Sequence, residues 1–148
     1  MSIITVLLAH HEKTTRNACL RLLAPEKGIQ VIAEARSGLE AIKATANLHP
    51  HILLLDWNLS PGRGITLLRV LRRKSPDIKV IVLSRGVSEA RILEPLSHGA
   101  LGYLQNNLVP ALIVEAVRMV GAGGVWVPRK MVPRIVSRLI RLAPREAA

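Results

Sequence analysis

Residues 51–64 read HILLLDWNLSPGRG, and the order of apolar and polar residues in this stretch decides the fold. Four apolar residues, Ile52 to Leu55, run without a break into one carboxylate, Asp56, and a tract rich in Ser, Pro and Gly follows. An apolar run with no polar alternation marks a strand buried on both faces, as in a parallel sheet covered by helices. Working outward, residues 3–9, 29–35, 78–83 and 101–104 are further short apolar runs. Between these five candidate strands, residues 14–24, 39–48, 65–73, 89–98 and 108–120 space their apolar residues near the helical period. Strand and helix therefore alternate, which implies a doubly wound α/β domain, its mainly parallel sheet flanked by helices through right-handed crossovers.

Local punctuation agrees. Ser37 and Glu40 have the spacing of a capping box, Pro25 and Gly28 close the first helix, and Pro110 falls in the first turn of the fifth. Pro95 is the discordant residue: inside the fourth helix it removes a backbone bond, so that helix is expected to start late or kink.

The 148 residues suffice for one such domain and are too few for two of full size. With 49% hydrophobic and 21% charged residues, the chain is globular and not a disordered segment. Its one cysteine, Cys19, cannot form an internal disulfide, and the first apolar run lacks the length and cationic leader of a secretory signal, so a cytoplasmic setting is expected. Residues 108–127 form the most apolar long stretch, but Glu115, Arg118 and three glycines interrupt it, which argues against a membrane span. The net charge of +11 favours polyanions or acidic partners. With Trp57, Tyr103 and Trp126 as the only aromatic residues, single-strand nucleic-acid binding by base stacking has little to work with.

Ligands of an open parallel sheet collect beyond the carboxyl ends of its strands. Those ends carry His10, His11 and Glu12 after the first strand, Asp56, Trp57 and Asn58 after the third, Ser84 after the fourth and Asn106 after the fifth. In this order the parts resemble the receiver domain of two-component response regulators, in detail that of the NarL/FixJ (LuxR-type) family. The carriers are VLLA before His10, LLLDWNLSPGRG at 53–64, VIVLS ending at Ser84, HGALGYLQNN at 98–107 and AGGVW at 122–126. The separations of 45 residues from His11 to Asp56, 28 to Ser84 and 22 to Asn106 fit as well.

The resemblance implies a flavodoxin-like, CheY-like receiver with strand order 2-1-3-4-5. It implies that Asp56 holds the phosphoacceptor position, which takes a phosphoryl group from a histidine kinase. Ser84 would be the hydroxyl residue and Tyr103 the aromatic switch. Receivers bind a divalent ion through the phosphoacceptor, a preceding acidic pair and a carbonyl two residues on, here that of Asn58. This sequence departs from the pattern twice: His10 and His11 replace the acidic pair, and Asn106 replaces the lysine. Mg²⁺ prefers oxygen ligands to imidazoles, so it is expected to bind poorly, and no cofactor is expected. Glu12 comes one residue too late to substitute. The expectation is an atypical receiver in which an imidazole beside Asp56, cationic or hydrogen-bonding, replaces the metal charge and freezes the pocket. Two other readings stand beside it: a conventional receiver phosphorylated on Asp56, and a transition-metal protein using His10, His11 and Asp56. Against the metal reading, adjacent histidines at a strand end are expected to point in different directions.

Beyond Gly123 and Gly124, residues 128–142 form an amphipathic basic helix. Val132, Ile135, Val136, Leu139 and Leu142 make an apolar stripe, while Arg134, Arg138, Arg141 and Arg145 make a cationic face. The stripe is expected to be buried on the receiver or against a second copy, giving a homodimer. Arg134, Arg138 and Arg141 are candidates for contact with DNA or an acidic partner. The ending LAPREAA resembles the opening of the helix-turn-helix domain that follows NarL/FixJ receivers. The expected organisation is thus a receiver at 1–124, a linker with its basic helix at 125–143, and at 144–148 the start of an absent DNA-binding domain. Expected partners are a histidine kinase or other signalling protein, and DNA through that domain; no membrane is expected.

Overall fold

The computed structural model describes residues 2–59, 64–86 and 88–142. Five strands, β1 (Ile4–Ala9), β2 (Ile29–Ala35), β3 (Ile52–Asp56), β4 (Lys79–Ser84) and β5 (Gly102–Gln105), form one sheet in the order β2-β1-β3-β4-β5, parallel throughout. The helices are α1 (Lys13–Leu23), α2 (Gly38–Leu48), α3 (Gly64–Lys74), α4 (Glu89–Ser97), α5 (Val109–Gly121) and α6 (Val132–Leu142), with 3₁₀ turns at Asn106–Leu108 and Arg129–Met131.

Alternate residues of each strand point to opposite faces, and two separate cores result. Leu7, Ala9, Leu53, Leu55, Val80, Val82 and Tyr103 pack on the side of α2, α3 and α4. Val6, Leu8, Ile52, Leu54, Ile81 and Leu83 pack on the other side, with Cys19 and Leu23 of α1 and Ile113, Ala116, Val117 and Val120 of α5. β3 is central, and all five of its residues are buried, Asp56 among them. The unbroken apolar run in the sequence is therefore a consequence of helices on both faces. The chain continues past β5 to the sheet edge: Trp126 bridges Gly102 in parallel, its carbonyl accepting from the Tyr103 amide at 2.8 Å. The first residues of the linker are thereby fixed to the receiver.

The caps form as the sequence implies, with one change. Ser37 Oγ accepts the Glu40 amide at 3.1 Å, but the Glu40 carboxylate takes the Arg36 amide at 2.6 Å, one residue earlier than in a standard capping box. Gly28 has φ +81°, the left-handed conformation that turns the chain from α1 into β2. The expected late start of α4 does not occur. Ser88 caps that helix at Glu89, and Pro95 lies in its last turn, where only the Arg91 carbonyl loses a helical donor.

Within one chain the stripe of α6 is covered only in part. Met131, just before it, is buried in the core, and Ile135 packs partly against that core. Val132, Val136 and Leu139 remain 42%, 48% and 61% exposed. Among the described residues of the stripe, Ile135 is docked on the receiver, and Val132, Val136 and Leu139 are not covered by this chain. The side chain of Leu142 lies outside the described residues, as do Arg145 and the whole of 143–148, with the ending read as the start of a DNA-binding domain.

Candidate functional site

The carboxyl ends of β1 and β3 are neighbours in the sheet, since Ala9 pairs with Leu55. The residues just beyond them, His10, His11 and Asp56, therefore meet. Asp56 is 1% exposed, and both of its carboxylate oxygens are engaged. Oδ1 accepts the amide of Asn58 at 3.0 Å. Oδ2 accepts the amide of His11 at 3.3 Å and also makes a direct hydrogen bond with Nδ1 of the His11 ring. A carboxylate can only accept, so that bond places a proton on Nδ1 of His11.

His10 is fully buried and stacks on His11, the ring centroids 5.2 Å apart and the planes inclined by 12°. Its Nδ1 lies 3.6 Å from Oδ2 of Asp56, too far for a hydrogen bond, and instead accepts the Glu12 amide at 3.0 Å. Burial holds the His10 pKa below its usual 6.5 despite the opposing field of Asp56. An Nδ1 that accepts leaves the proton of the neutral ring on Nε2, which is buried and has no partner. Of the two imidazoles, His11 thus does the hydrogen bonding, and His10 does not replace the charge of a metal ion. The two rings do not diverge as the sequence suggested. Stacked on one side of Asp56, they place one donor atom each, with a carboxylate oxygen, within 4.8 Å of one another.

The other candidate residues of the sequence lie at the ends of β4 and β5, on β5 and on α6. Ser84 is buried at the end of β4, its Oγ taking the Gly86 amide at 3.4 Å. Asn106 opens the 3₁₀ turn after β5, and its side-chain carbonyl oxygen is buried without a partner. Among the described residues, neither hydrogen-bonds Asp56. Tyr103 is 2% exposed, turned into the core with its hydroxyl donating to the Gly86 carbonyl; burial raises its pKa, against a smaller opposite effect of a hydrogen bond with Ser84. Arg134, Arg138 and Arg141 are exposed on α6, and Arg134 is tied back to Glu89 of α4 at 3.0 Å.

Two arginines that sequence reasoning passed over support the site. Arg16 is buried on α1, its guanidinium donating to the His10 carbonyl at 2.7 Å and lying 3.6 Å from Glu34 on β2. The signal for it was present: Arg16, Cys19 and Leu23 share one helical face, so the arginine stands where an apolar residue is due. Arg85 holds Glu12 at 2.7 Å, a contact that lowers the Glu12 pKa and raises that of Arg85. Glu12 is therefore bound to β4's end and does not reach for Asp56.

Comparison with known proteins decides the family. Residues 6–118 match the response regulator receiver domain. The chain belongs to that family. The receiver is 32% identical over 136 residues to the response regulator GacA of Pseudomonas viridiflava, covering 92% of this chain and 62% of that protein. It is 29% identical over 139 residues to the transcriptional regulatory protein DegU of Brevibacillus brevis, covering 94% of this chain and 59% of that one. The receiver thus spans about three fifths of the length of these curated relatives. Its fold superposes with a TM-score of 0.82 on a crystal structure of a LuxR-family two-component response regulator from Aurantimonas sp., at 24% identity and covering 94% and 99% of the two chains.

Receivers of this family are expected to hold Mg²⁺ beside the phosphoacceptor, and the residues present do not fit that ion. One carboxylate faces the pocket where three are needed, and imidazoles fill the other two positions. Mg²⁺ is hard and dehydrates reluctantly, so a site that offers it nitrogen in place of charged oxygen holds it weakly.

Proposed function

We propose that this receiver controls transcription from a C-terminal DNA-binding domain and does so without Mg²⁺-dependent phosphorylation of Asp56. The observation that carries this reading is the hydrogen bond of His11 to Asp56 Oδ2, in a pocket where Asn58 already holds Oδ1. Phosphoryl transfer depends on positioning and on neutralising the charge of the phosphoryl oxygens. Here the attacking oxygens are occupied, the metal ligands are absent and Asn106 supplies no cation. The inward Tyr103, bonded to Gly86, is a resting arrangement that needs no phosphate.

The partners of this reading are a signalling protein, which a histidine kinase would be only in the conventional case, a second copy of the chain, and DNA bound by the C-terminal domain. Its setting is the cytoplasm. The relatives named as transcriptional regulators support it, as does the fact that no helix among the described residues is long and apolar enough to cross a membrane. The test is incubation with acetyl phosphate or phosphoramidate and Mg²⁺, followed by intact mass. The native chain stays unmodified, while His10→Asp, His11→Asp, Asn106→Lys acquires one phosphoryl group. Ready phosphorylation of the native chain on Asp56 would establish the conventional receiver instead.

A further inference from the structure

We propose that His10, His11 and Asp56 form a binding site for a borderline transition-metal ion of the Zn²⁺ class. Three observations carry it. First, Nδ1 of both histidines converges on a single carboxylate oxygen, 3.6 Å away for His10 and in direct hydrogen bond for His11. Around a tetrahedral ion with ligands at about 2.0–2.1 Å, donor atoms stand about 3.3 Å apart. The His10 and Asp56 donors are already close to that spacing. His11 must draw back from Oδ2 and turn its ring out of the stack, so that its Nδ1 lone pair meets the ion held by His10 and Asp56, and its 44% exposed side chain has room to do so.

Second, the arrangement is unsatisfied as it stands. Nδ1 of the buried His10 ring stands 3.6 Å from an oxygen of the Asp56 carboxylate with its one lone pair taken by the Glu12 amide, so two electron-rich atoms face each other without a cation. A cation between Nδ1 and Oδ2 turns that opposition into two attractive contacts, at the loss of the Glu12 amide's bond to Nδ1.

Third, the donor set selects the ion. Two imidazoles and one carboxylate suit Zn²⁺, Ni²⁺ or Cu²⁺ and not Mg²⁺. Binding displaces the proton that Nδ1 of His11 now shares with Asp56, and that proton goes to solvent. Three protein ligands leave a fourth position for water at the exposed side of His11. Glu12, whose Oε1 lies 3.7 Å from Nε2 of His11, is held away by Arg85. The site needs the unmodified Asp56 carboxylate, but it does not require that the receiver be unable to accept a phosphoryl group.

The experiment is calorimetric titration of the untagged, chelator-stripped chain with ZnCl₂, and separately with MgCl₂. One equivalent of Zn²⁺ should bind about a hundredfold or more tighter than Mg²⁺. His11→Asn and Asp56→Asn should each weaken Zn²⁺ binding about tenfold or more, as loss of a ligand requires. His49→Asn and His98→Asn, remote histidines, should leave it unchanged. Because a change at the buried His10 can unfold the chain, the exposed His11 carries the test. Co²⁺ supplies a readout independent of affinity: its visible absorption at four-coordinate intensity should appear in the native chain and vanish in His11→Asn. Absence of Zn²⁺ binding, or binding that survives both His11→Asn and Asp56→Asn, overturns the proposal.

Discussion

Replacing the two histidines by the carboxylates a receiver ordinarily carries should destabilise this protein until a divalent ion is supplied. In the native chain Nδ1 of His10 lies 3.6 Å from Oδ2 of Asp56, the two side chains being 0% and 1% exposed. A carboxylate at position 10 would stand about 4 Å from Asp56, where two like charges at an effective dielectric of about 20 repel by about 4 kcal/mol. Protonation offers no cheaper escape: lifting one carboxyl pKa from about 4 to neutrality costs about 4 kcal/mol as well, at about 1.4 kcal/mol per unit. Loss of ring packing is separated from charge by comparing His10→Asp, His11→Asp with His10→Asn, His11→Asn. In EDTA at pH 7 the Asp variant should melt below the Asn variant by about 8–16 °C, at about 2–4 °C per kcal/mol for a domain of this size. Mg²⁺ at tenfold above its Kd should return about 1.4 kcal/mol to the Asp variant and nothing to the native or Asn forms. Calorimetric melting in EDTA and in Mg²⁺ measures all of this. Equal melting of the Asp and Asn variants in EDTA, or a native chain that gains stability from Mg²⁺, would refute the electrostatic reasoning.

Cys19 is fully buried, which pushes its thiol from 9.0 up to about 11. The unfolded chain releases that proton first, so stability should fall as pH rises from about 9 toward 11, by at most about 1.4 kcal/mol per unit, and Cys19→Ala should flatten the decline; native Cys19 should also react with Ellman's reagent far more slowly than in urea. Arg16→Ala leaves the His10 carbonyl without its buried donor and should destabilise by about 1–3 kcal/mol in urea titrations, whereas exposed Arg36→Ala should change little. On α6, Ile135→Asp should release the helix from the receiver, seen as faster amide exchange over 132–142, while Leu139→Asp, 61% exposed, should leave exchange and melting unchanged. If Leu139→Asp also loosens the helix, the stripe is buried in solution by a second copy.

The fold was legible because burial on two faces writes itself into composition. Ile52 to Leu55, a short apolar run bounded by loop residues, reads as a strand covered on both sides, and the alternation of such runs with helical spacing leaves few topologies. Boundaries moved by one or two residues where hydrogen bonding, which apolar pattern does not encode, set the ends: β3 takes in Asp56, and β5 begins at Gly102. Pro95 misled because it removes one bond, that to the Arg91 carbonyl, and a single lost bond in the last turn neither delays the start of α4 nor ends the helix early. The stripe of α6 was legible as a stripe but not in what covers it. Amphipathic spacing states that a face is apolar, not which surface meets it, and among the described residues Ile135 is the stripe residue that this chain packs on its own core.

At the site, sequence alone offered His10, His11, Asp56, Ser84, Asn106 and Tyr103 as candidates, because their order and separation along the chain are legible without coordinates. Their relation was decided only by the tertiary structure. Neighbouring strands β1 and β3 bring the two histidines to one side of Asp56, and the turn into α1 aligns their rings in a stack instead of letting them diverge. Which imidazole bonds the carboxylate, and which is left buried with an unpaired nitrogen, depends on how closely each ring approaches a residue that is 45 positions from His11 in the chain. Residue type fixes what a side chain can donate or accept, but packing fixes what stands opposite it.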